Sequence, residues 1–292
     1  MPAMPQNVQA LRGMIRSCVL CPRHCRVDRT AGELGACRTG AEAVVASVGP
    51  HFGEEPVLVG RGGSGTIFLV GCNLSCAFCQ NFDISHPPKV QAAGKECSSQ
   101  AVGELALGLQ RQGCGNINFV TPTHVAHAIA EAIVLARAAG LKVPVVYNCG
   151  GYELPEVLRL LEGLVEVYMP DFKYADAAAG LKYSGVADYP AVASAAIAEM
   201  YRQVGPLCLD GDGVAIRGLL VRHLVLPGDI ARSREVVDQV AAAAPGAAIN
   251  VMGQYRPAHE AWRYPELQVG LSAGQIRNLR EYAASRGLVR VD

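Results

Sequence analysis

The stretch Thr66–Gln80, TIFLVGCNLSCAFCQ, decides the fold. Its first residues are apolar and rich in β-branched and aromatic side chains, which predicts a buried β-strand. Three cysteines, Cys72, Cys76 and Cys79, follow directly in the spacing CxxxCxxC, with Phe78 before the last one. The pattern predicts a loop that leaves the end of a strand and carries three thiols close together.

Three thiols in one loop point to a metal centre. Thiolates are the usual protein ligands of iron–sulfur clusters. Three of them can hold a four-iron cluster and leave its fourth iron open, and an open position is typical of a reactive metal site. Zinc held with His86 is a weaker hypothesis, because zinc ligands usually come in pairs. Buried cysteines also serve as small apolar core residues.

Composition limits the function classes. The chain has 292 residues, enough for one barrel-sized domain or two smaller ones, and half of them are apolar. Its 26 basic and 26 acidic side chains provide no basic field for general nucleic-acid binding. No apolar run approaches the roughly 20 residues that span a bilayer. Eleven cysteines without a recognisable secretory signal favour metal ligands over disulfides, and we expect a cytoplasmic metalloprotein.

Predicted strands and helices alternate along the chain. The predicted strands are Thr66–Val70, Ile117–Val120, Val143–Tyr147, Val165–Tyr168, Leu219–Leu226 and Ala248–Met252. The predicted helices are Gln100–Arg111, His124–Ala139, Pro155–Leu161, Asp188–Gln203, Arg232–Ala244 and Ser272–Arg286. This alternation indicates parallel βαβ units.

A distinctive polar or cysteine motif follows each of the six predicted strands. The motifs begin at Cys72, Thr121, Asn148, Asp171, Pro227 and Gly253. Active sites of parallel α/β proteins assemble from loops at the carboxyl ends of strands. We therefore predict an α/β fold with a partial (β/α)6 TIM-like barrel. A doubly wound open sheet is the alternative with the same alternation.

The cysteine loop, including its aromatic residue, resembles the cluster loop of the radical S-adenosylmethionine superfamily. Further stretches resemble one branch of it, named after pyruvate formate-lyase-activating enzymes. These stretches are Cys18–Cys37, Gly65–Ser85, Asn116–His124, Tyr147–Glu153, Asp171–Lys173, Arg222–Gly228 and Val251–Tyr255. They cover nearly the whole chain in the expected order, although each is less specific than the cluster loop.

The resemblance implies a reaction and its cofactors. A [4Fe-4S] cluster on Cys72, Cys76 and Cys79 would bind S-adenosyl-L-methionine through its fourth iron. One electron then cleaves the cofactor to a 5′-deoxyadenosyl radical, which abstracts hydrogen from a substrate. A flavodoxin or ferredoxin type of donor would supply the electron. A glycyl-radical enzyme such as pyruvate formate-lyase would be the partner of an activating enzyme.

The resemblance also implies which residues meet S-adenosylmethionine. The predicted cofactor-binding residues are Phe78, Thr121, Asn148, Gly150, Gly151, Asp171 and Lys173. Asp171 and Lys173 resemble an aspartate–lysine pair of glycyl-radical activases, and their i, i+2 spacing directs both to the same side of an extended chain. One departure is the missing Gly-Gly-Glu motif after the second strand. Thr121 and Thr123 are candidate substitutes there, and for Thr123 an ordinary helix N-cap is the favoured interpretation.

A second cysteine cluster lies near the N-terminus. Cys18, Cys21, Cys25 and Cys37 are spaced as a metal site in a region with little apolar periodicity. Zinc would make this module a structural staple, and a second [4Fe-4S] cluster would make it an electron relay or substrate contact. Both hypotheses stay open. We expect residues 1–60 to form an N-terminal segment with this module, joined by a strand at Val44–Val48, and residues 61–292 to form the barrel domain.

Other reactive residues are expected to have structural roles. Core positions are predicted for Cys97, Cys114, Cys149 and Cys208. Surface positions are predicted for His124 and His127 in a first helical turn. Glu54 and Glu55, near His51, are predicted to lie in an exposed loop, with substrate contact as the alternative.

Three functions fit the sequence. The first is a radical S-adenosylmethionine oxidoreductase that activates a glycyl-radical enzyme. The second keeps this chemistry but modifies a small molecule, an RNA or another protein side chain. The third is a non-catalytic iron–sulfur electron-transfer or scaffold protein. The polar and cysteine motifs after all six predicted strands disfavour it, because an electron carrier needs only the cluster.

Overall fold

The computed structural model describes residues 3–291. Ten β-strands lie within this range. They are β1 Ala43–His51, β2 Ser64–Leu69, β3 Lys95–Cys97, β4 Ile117–Val120, β5 Val145–Cys149, β6 Val167–Pro170, β7 Cys208–Leu209, β8 Ala215–Leu224, β9 Ala248–Met252 and β10 Val289–Arg290. All six predicted strands are confirmed, with ends shifted by up to four residues. The predicted joining strand is longer than expected, because β1 extends to His51.

Ten α-helices lie between and around the strands in the same range. They are α1 Gln6–Gly13, α2 Pro56–Val59, α3 Phe82–Ser85, α4 Ser99–Arg111, α5 Ala126–Ala138, α6 Pro155–Leu160, α7 Ala177–Ser184, α8 Tyr189–Val204, α9 Ser233–Ala243 and α10 Ala273–Ser285. The six predicted helices are α4, α5, α6, α8, α9 and α10. Pro155 occupies the first turn of α6 as predicted. No helix among the described residues is long and apolar enough to cross a membrane.

Six parallel strands follow one another in chain order across the sheet. The order β2-β4-β5-β6-β8-β9 runs through neighbouring hydrogen-bonded pairs, and β10 adds a parallel pair beyond β9. A doubly wound sheet would reverse this order at a switch point. The order never reverses, so the prediction of a partial (β/α)6 barrel is confirmed and the doubly wound alternative is wrong.

The N-terminal part of the chain adds to the same sheet. Strand β1 pairs antiparallel with β2, and β3 pairs antiparallel with β1. Helix α1 packs beside α5 and α6 on the outside of the sheet. The division of the chain at residue 60 stays a prediction.

One end of the barrel is filled and the other is open. Leu58 of α2 packs inside the barrel among alternate residues of the central strands, including Val146, Val167 and Leu220. Asn148 lies two residues beyond Val146 and so faces the same side of β5. Apolar packing therefore closes the amino-terminal end of the barrel, and polar side chains project at its carboxyl end.

A candidate active site at the carboxyl ends of the parallel strands

A cavity of about 440 Å³ opens at the carboxyl ends of the parallel strands. Residues from the ends of β4, β5, β6, β8 and β9 meet there with the cysteine loop and with the segment after β1. Its lining includes Cys72, Cys76, Cys79, Thr121, Asn148, Gly150, Asp171, Lys173, Arg222, Met252 and Gln254. Thiols thus line one side of the cavity, and charged and amide side chains line the opposite side.

Each thiol of the cysteine loop has a hydrogen-bonding partner that the loop spacing does not reveal. The Ser184 hydroxyl lies 3.0 Å from the Cys76 sulfur, and the Ser85 hydroxyl lies 3.1 Å from the Cys79 sulfur. The Cys72 sulfur accepts from the backbone N–H two residues further along the loop, at 3.4 Å. Hydrogen-bond donors of this kind stabilise a thiolate and tune a cluster that it binds.

Burial is the dominant influence on the pKa of the Cys76 thiol. It raises the pKa of Cys76 above the usual thiol value, and the positive charge of Lys173 opposes that rise. Metal binding therefore has to release the thiol proton. The nearby cation favours the deprotonated form that a metal requires.

The thiols do not form a site for a single ion. Within residues 3–291, no three Cys, His, Asp or Glu side chains are arranged to hold one metal ion. In a four-iron cluster each thiolate binds a different iron atom, so its ligands stand further apart than those of zinc. His86 is engaged elsewhere, because its two ring nitrogens bond to the Leu74 carbonyl and the Ser85 hydroxyl. The zinc hypothesis for this loop therefore loses its fourth ligand.

The opposite wall carries a half-buried charge network. Lys173 Nζ lies 2.6 Å from Asp171 Oδ2, and Arg222 Nε lies 3.0 Å from Asp171 Oδ1. Arg222 also donates to the Asn148 side-chain oxygen at 2.7 Å and lies 3.7 Å from Glu55. Burial alone would raise the pKa of Asp171, but the two cations hold it below its ordinary value. The sequence pointed to Asp171 and Lys173, whereas Arg222 was visible only as part of a resembling stretch.

Glu54 and Glu55 do not lie in an exposed loop, so that prediction is wrong. Glu55 is 6% exposed and accepts a hydrogen bond from Asn250. Its Oε2 atom is buried and has no hydrogen-bond partner in the part of the chain that the structure describes. Glu54 lines the cavity, and burial raises its pKa to about 7 against the opposing charge of Arg222. The two residues lie directly before α2. Because α2 packs inside the barrel through Leu58, Glu54 and Glu55 are drawn into the interior with it.

The threonine and histidine predictions after β4 also need correction. Thr123 is buried, and its hydroxyl donates to Glu153 rather than capping a helix. His124 and His127 are 2% and 0% exposed, not on the surface. The Nε2–H of His124 donates to the Val70 carbonyl, and the Nε2–H of His127 donates to the Ala41 carbonyl. The segment is buried because it lies between β4 and the N-terminal part of the chain.

The remaining predicted cofactor residues occupy different environments. Phe78 is 4% exposed, lines the cavity and packs edge-on against Tyr174 and Tyr255. Gly150 also lines the cavity. Gly151 has φ +77°, and a Cβ there would lie 2.0 Å from the Asp171 carbonyl oxygen, so glycine is required for backbone packing. Whether these residues bind a cofactor stays a prediction.

The four N-terminal cysteines lie around a second, smaller cavity that also touches Asn73 of the cysteine loop. Of the four cysteines predicted to be core residues, Cys97, Cys114 and Cys149 are buried. Cys208 is exposed, so its prediction is wrong. It lies on the short strand β7, which pairs with only the start of β8.

Comparisons with known proteins place the chain in a family. It is 30% identical over 285 residues to uncharacterized protein MJ0674 of Methanocaldococcus jannaschii, covering 97% of this chain and 78% of that protein. The chain belongs to the MJ0674 family. Uncharacterized protein MJ0808 of the same organism is 28% identical over 165 residues, 49% of this chain and 46% of that protein. No model of a known protein family matches the chain.

Solved structures with a similar fold include Streptococcus suis SuiB, at a TM-score of 0.51 and 11% identity. The match covers 76% of this chain and 46% of SuiB. The radical S-adenosylmethionine methyltransferase TsrM from Kitasatospora setae matches at a TM-score of 0.47 and 17% identity, over 65% of this chain and 36% of TsrM. The chain thus spans less than half the length of either protein. At this identity, the likeness to SuiB shows a shared fold.

Proposed function

We propose that this chain is a radical S-adenosylmethionine iron–sulfur enzyme. One observation carries the proposal: three thiols of a single loop and the polar ends of the central parallel strands line the same 440 Å³ cavity. That volume is typical of cavities that enclose a small-molecule ligand. A non-catalytic electron carrier would have no use for a polar cavity of this size beside its cluster.

Cys72, Cys76 and Cys79 fit a [4Fe-4S] cluster with one open iron. All three line the cavity, and each sulfur has an N–H or O–H group within bonding distance. When bound, the cluster would supply the electron that cleaves S-adenosylmethionine and yields a hydrogen-abstracting radical. The chain itself supplies the enclosure, the fixed charges and the orientation of the cofactor.

Lys173 and Asn148 are the groups best placed to orient S-adenosylmethionine. Lys173 is held by Asp171 at the cavity wall, and its charge also reaches Cys76. Asn148 is held by Arg222, which fixes the amide in one orientation. Preorganised donors and acceptors of this kind bind a polar ligand without a further ordering cost. Thr121 and Gly150 complete the nearby wall.

Glu54 is our candidate for the carboxylate that meets the cofactor's amine. The cavity is lined by two carboxylates, Glu54 and Asp171. Asp171 is already bonded to Lys173 and Arg222, so it is committed to internal cations. Glu54 has no ion pair to a cation among the described residues, although the Glu55 carboxyl and the charge of Arg222 lie nearby, and it lines the same cavity. It would therefore replace the glutamate of the missing Gly-Gly-Glu motif from a different strand end.

The finer proposal is that the substrate is a glycyl-radical enzyme such as pyruvate formate-lyase, with a flavodoxin or ferredoxin type of electron donor. It rests on the sequence resemblance described above. The alternative is the same chemistry on a small molecule, an RNA or another protein side chain.

The test is reductive cleavage of S-adenosylmethionine. Anaerobically reconstituted protein with dithionite should release 5′-deoxyadenosine and show the absorption of a [4Fe-4S] cluster. Replacement of Cys72, Cys76 and Cys79 by alanine should abolish the product, whereas Cys97→Ala, a matched change of a buried cysteine outside the cavity, should retain it. Cleavage by the triple variant would contradict the proposal. Incubation with candidate glycyl-radical enzymes, read by electron paramagnetic resonance, would separate the two substrate classes.

A further inference from the structure

The chain folds Cys18, Cys21, Cys25 and Cys37 around one small cavity before the barrel begins. A short antiparallel contact closes the loop, because the Cys18 N–H donates to the Val27 carbonyl and the Arg26 N–H donates to the Cys18 carbonyl. Cys37 joins from beyond Gly32, which has φ +86°. The four thiols are therefore brought together by backbone contacts rather than by apolar packing.

Three of these four sulfurs lie within bonding distance of an N–H or O–H group. The Ala36 N–H donates to the Cys25 sulfur at 3.3 Å, and the Thr39 hydroxyl lies 3.0 Å from the Cys37 sulfur. An Arg29 N–H lies 3.8 Å from the Cys18 sulfur. A neutral thiol is a weak acceptor. N–H and O–H groups beside these sulfurs match the needs of metal-bound thiolates.

Arg29 is a buried cation beside the four cysteines. It is 2% exposed, so its guanidinium carries a positive charge in the protein interior. Its hydrogen-bond partners are the carbonyls of Gly40 and His124, the Thr39 hydroxyl and the Cys18 sulfur. None of the partners that the structure gives it in the described range is a carboxylate. A buried cation without an anion is costly, and thiolates around a metal would supply the missing negative charge.

We propose that Cys18, Cys21, Cys25 and Cys37 bind a metal as thiolates and that Arg29 balances the charge of this centre. A zinc ion bound by four thiolates and a four-iron cluster bound by four thiolates are both negatively charged. Arg29 would therefore balance the charge of either centre in the same way. The cavity measures about 10 Å³, and no three of its side chains are arranged to hold a single ion. A single zinc ion therefore requires the thiols to rotate.

The centre would also hold the active-site loop in place. Arg23 lies between two of its ligands and donates to the Asn73 carbonyl at 2.7 Å. It also donates to the carbonyls of Gly185 and Ser184, at 3.0 and 3.3 Å. Asn73 follows Cys72 directly, and the Ser184 hydroxyl contacts Cys76. A metal that fixes the N-terminal loop therefore fixes Arg23 against the loop that carries the active-site thiols.

The metal is measured in the full chain with Cys72, Cys76 and Cys79 replaced by alanine, so the result does not depend on catalysis. Protein purified anaerobically should retain about one zinc, or about four irons with acid-labile sulfide, per chain. Either result supports the centre and identifies its metal. Further replacement of Cys18 and Cys37 by serine should remove the metal, whereas Cys97→Ser in the same background should not. A triple variant that is folded by circular dichroism and metal-free would overturn the proposal.

The charge of Arg29 is tested separately by challenging the same triple variant with a chelator. Arg29→Met should lose metal at chelator concentrations about 10- to 100-fold lower, the usual effect of removing a group that supports metal ligands. Arg29→Lys, which keeps the charge, should lose clearly less. Equal retention by Arg29→Met and the parent would overturn the charge-balancing role. Metal content and chelator sensitivity are read without S-adenosylmethionine, so failure here and failure of the proposed function are distinguishable.

Discussion

Arg222 on β8 donates from Nε to the Asp171 carboxylate at the end of β6, over 3.0 Å. The same carboxylate accepts from Lys173 on its other oxygen. The Asp171 side chain is 18% exposed and bonded to two cations, so it is not a freely solvated ion pair. Its two bonds hold Lys173 and Arg222 at fixed positions on the cavity wall.

Replacement of Lys173 should weaken S-adenosylmethionine binding without changing the metal content. Lys173→Ala removes a cation that could pair with the cofactor's carboxylate or hydroxyl groups, a bond worth roughly 1.5–3 kcal/mol. The expected loss of affinity is about 10- to 100-fold. Asp171→Ala should weaken binding as well, because it releases Lys173. Equilibrium binding to reconstituted protein measures the effect.

Lys142→Ala is the matched control, since Lys142 is exposed and does not line the cavity. Iron content should equal that of the wild type in all three variants, because none of them alters a thiol. Wild-type affinity and cleavage rate in both Asp171→Ala and Lys173→Ala would remove this pair from the cofactor site.

Binding of S-adenosylmethionine should strengthen as the pH rises through about 7 if Glu54 meets its amine. Burial raises the pKa of Glu54 to about 7 from its ordinary value of 4.5. Below that pH the carboxyl is protonated and neutral, and above it the carboxylate can accept a charge-assisted hydrogen bond from the N–H of the cofactor's amine. Glu54→Gln should weaken binding about 10-fold at pH 7.5 and change it little at pH 6.

Glu104→Gln, an exposed change on α4, should keep the wild-type pH profile. The amine pairing would be refuted by an unchanged pH dependence in Glu54→Gln, even if the affinity itself fell. Binding at pH 6 and 7.5 should be compared by the same equilibrium method, with cluster content determined at each pH.

Glu153 should make the protein less stable at neutral pH than at mildly acidic pH. Burial raises its pKa to about 7, although the Thr123, Cys149 and Tyr147 side chains oppose the rise. The unfolded carboxyl ionises at about 4.5, before the folded one. Below pH 4.5 Glu153 therefore does not lower the free energy of unfolding. Between pH 4.5 and 7 it lowers that free energy progressively, by up to about 3 kcal/mol.

The measurement is the free energy of unfolding in urea at pH 5 and pH 8. Glu153→Gln cannot ionise, so its stability relative to the wild type should increase between these two pH values by about 2–3 kcal/mol. Glu235→Gln, an exposed change on α9, should show no such increase. A wild-type-to-variant difference that stays constant from pH 5 to pH 8 would show that Glu153 does not titrate in this range.

Local sequence patterns were sufficient to predict the barrel and the cysteine loop. β-branched runs and helical periodicity are short-range signals, and the six strands and six helices were found because each satisfies its own period. The polar residues after each strand were likewise readable, because parallel strands bring their carboxyl ends to one edge. The cysteine loop needs no distant partner to bring its three thiols together.

The sequence alone therefore determined the barrel, the thiol loop and the candidate pair Asp171 and Lys173. The tertiary structure decided which distant side chains meet them. Arg222 lies 51 residues from Asp171, and Ser184 lies 108 residues from Cys76. The burial of Glu55 and His124 was also invisible, because it depends on α2 entering the barrel and on the N-terminal segment covering β4. The spacing of residues in the sequence determines contacts within one loop or strand. Contacts between distant elements, and the pKa shifts that they cause, form only when the barrel has folded.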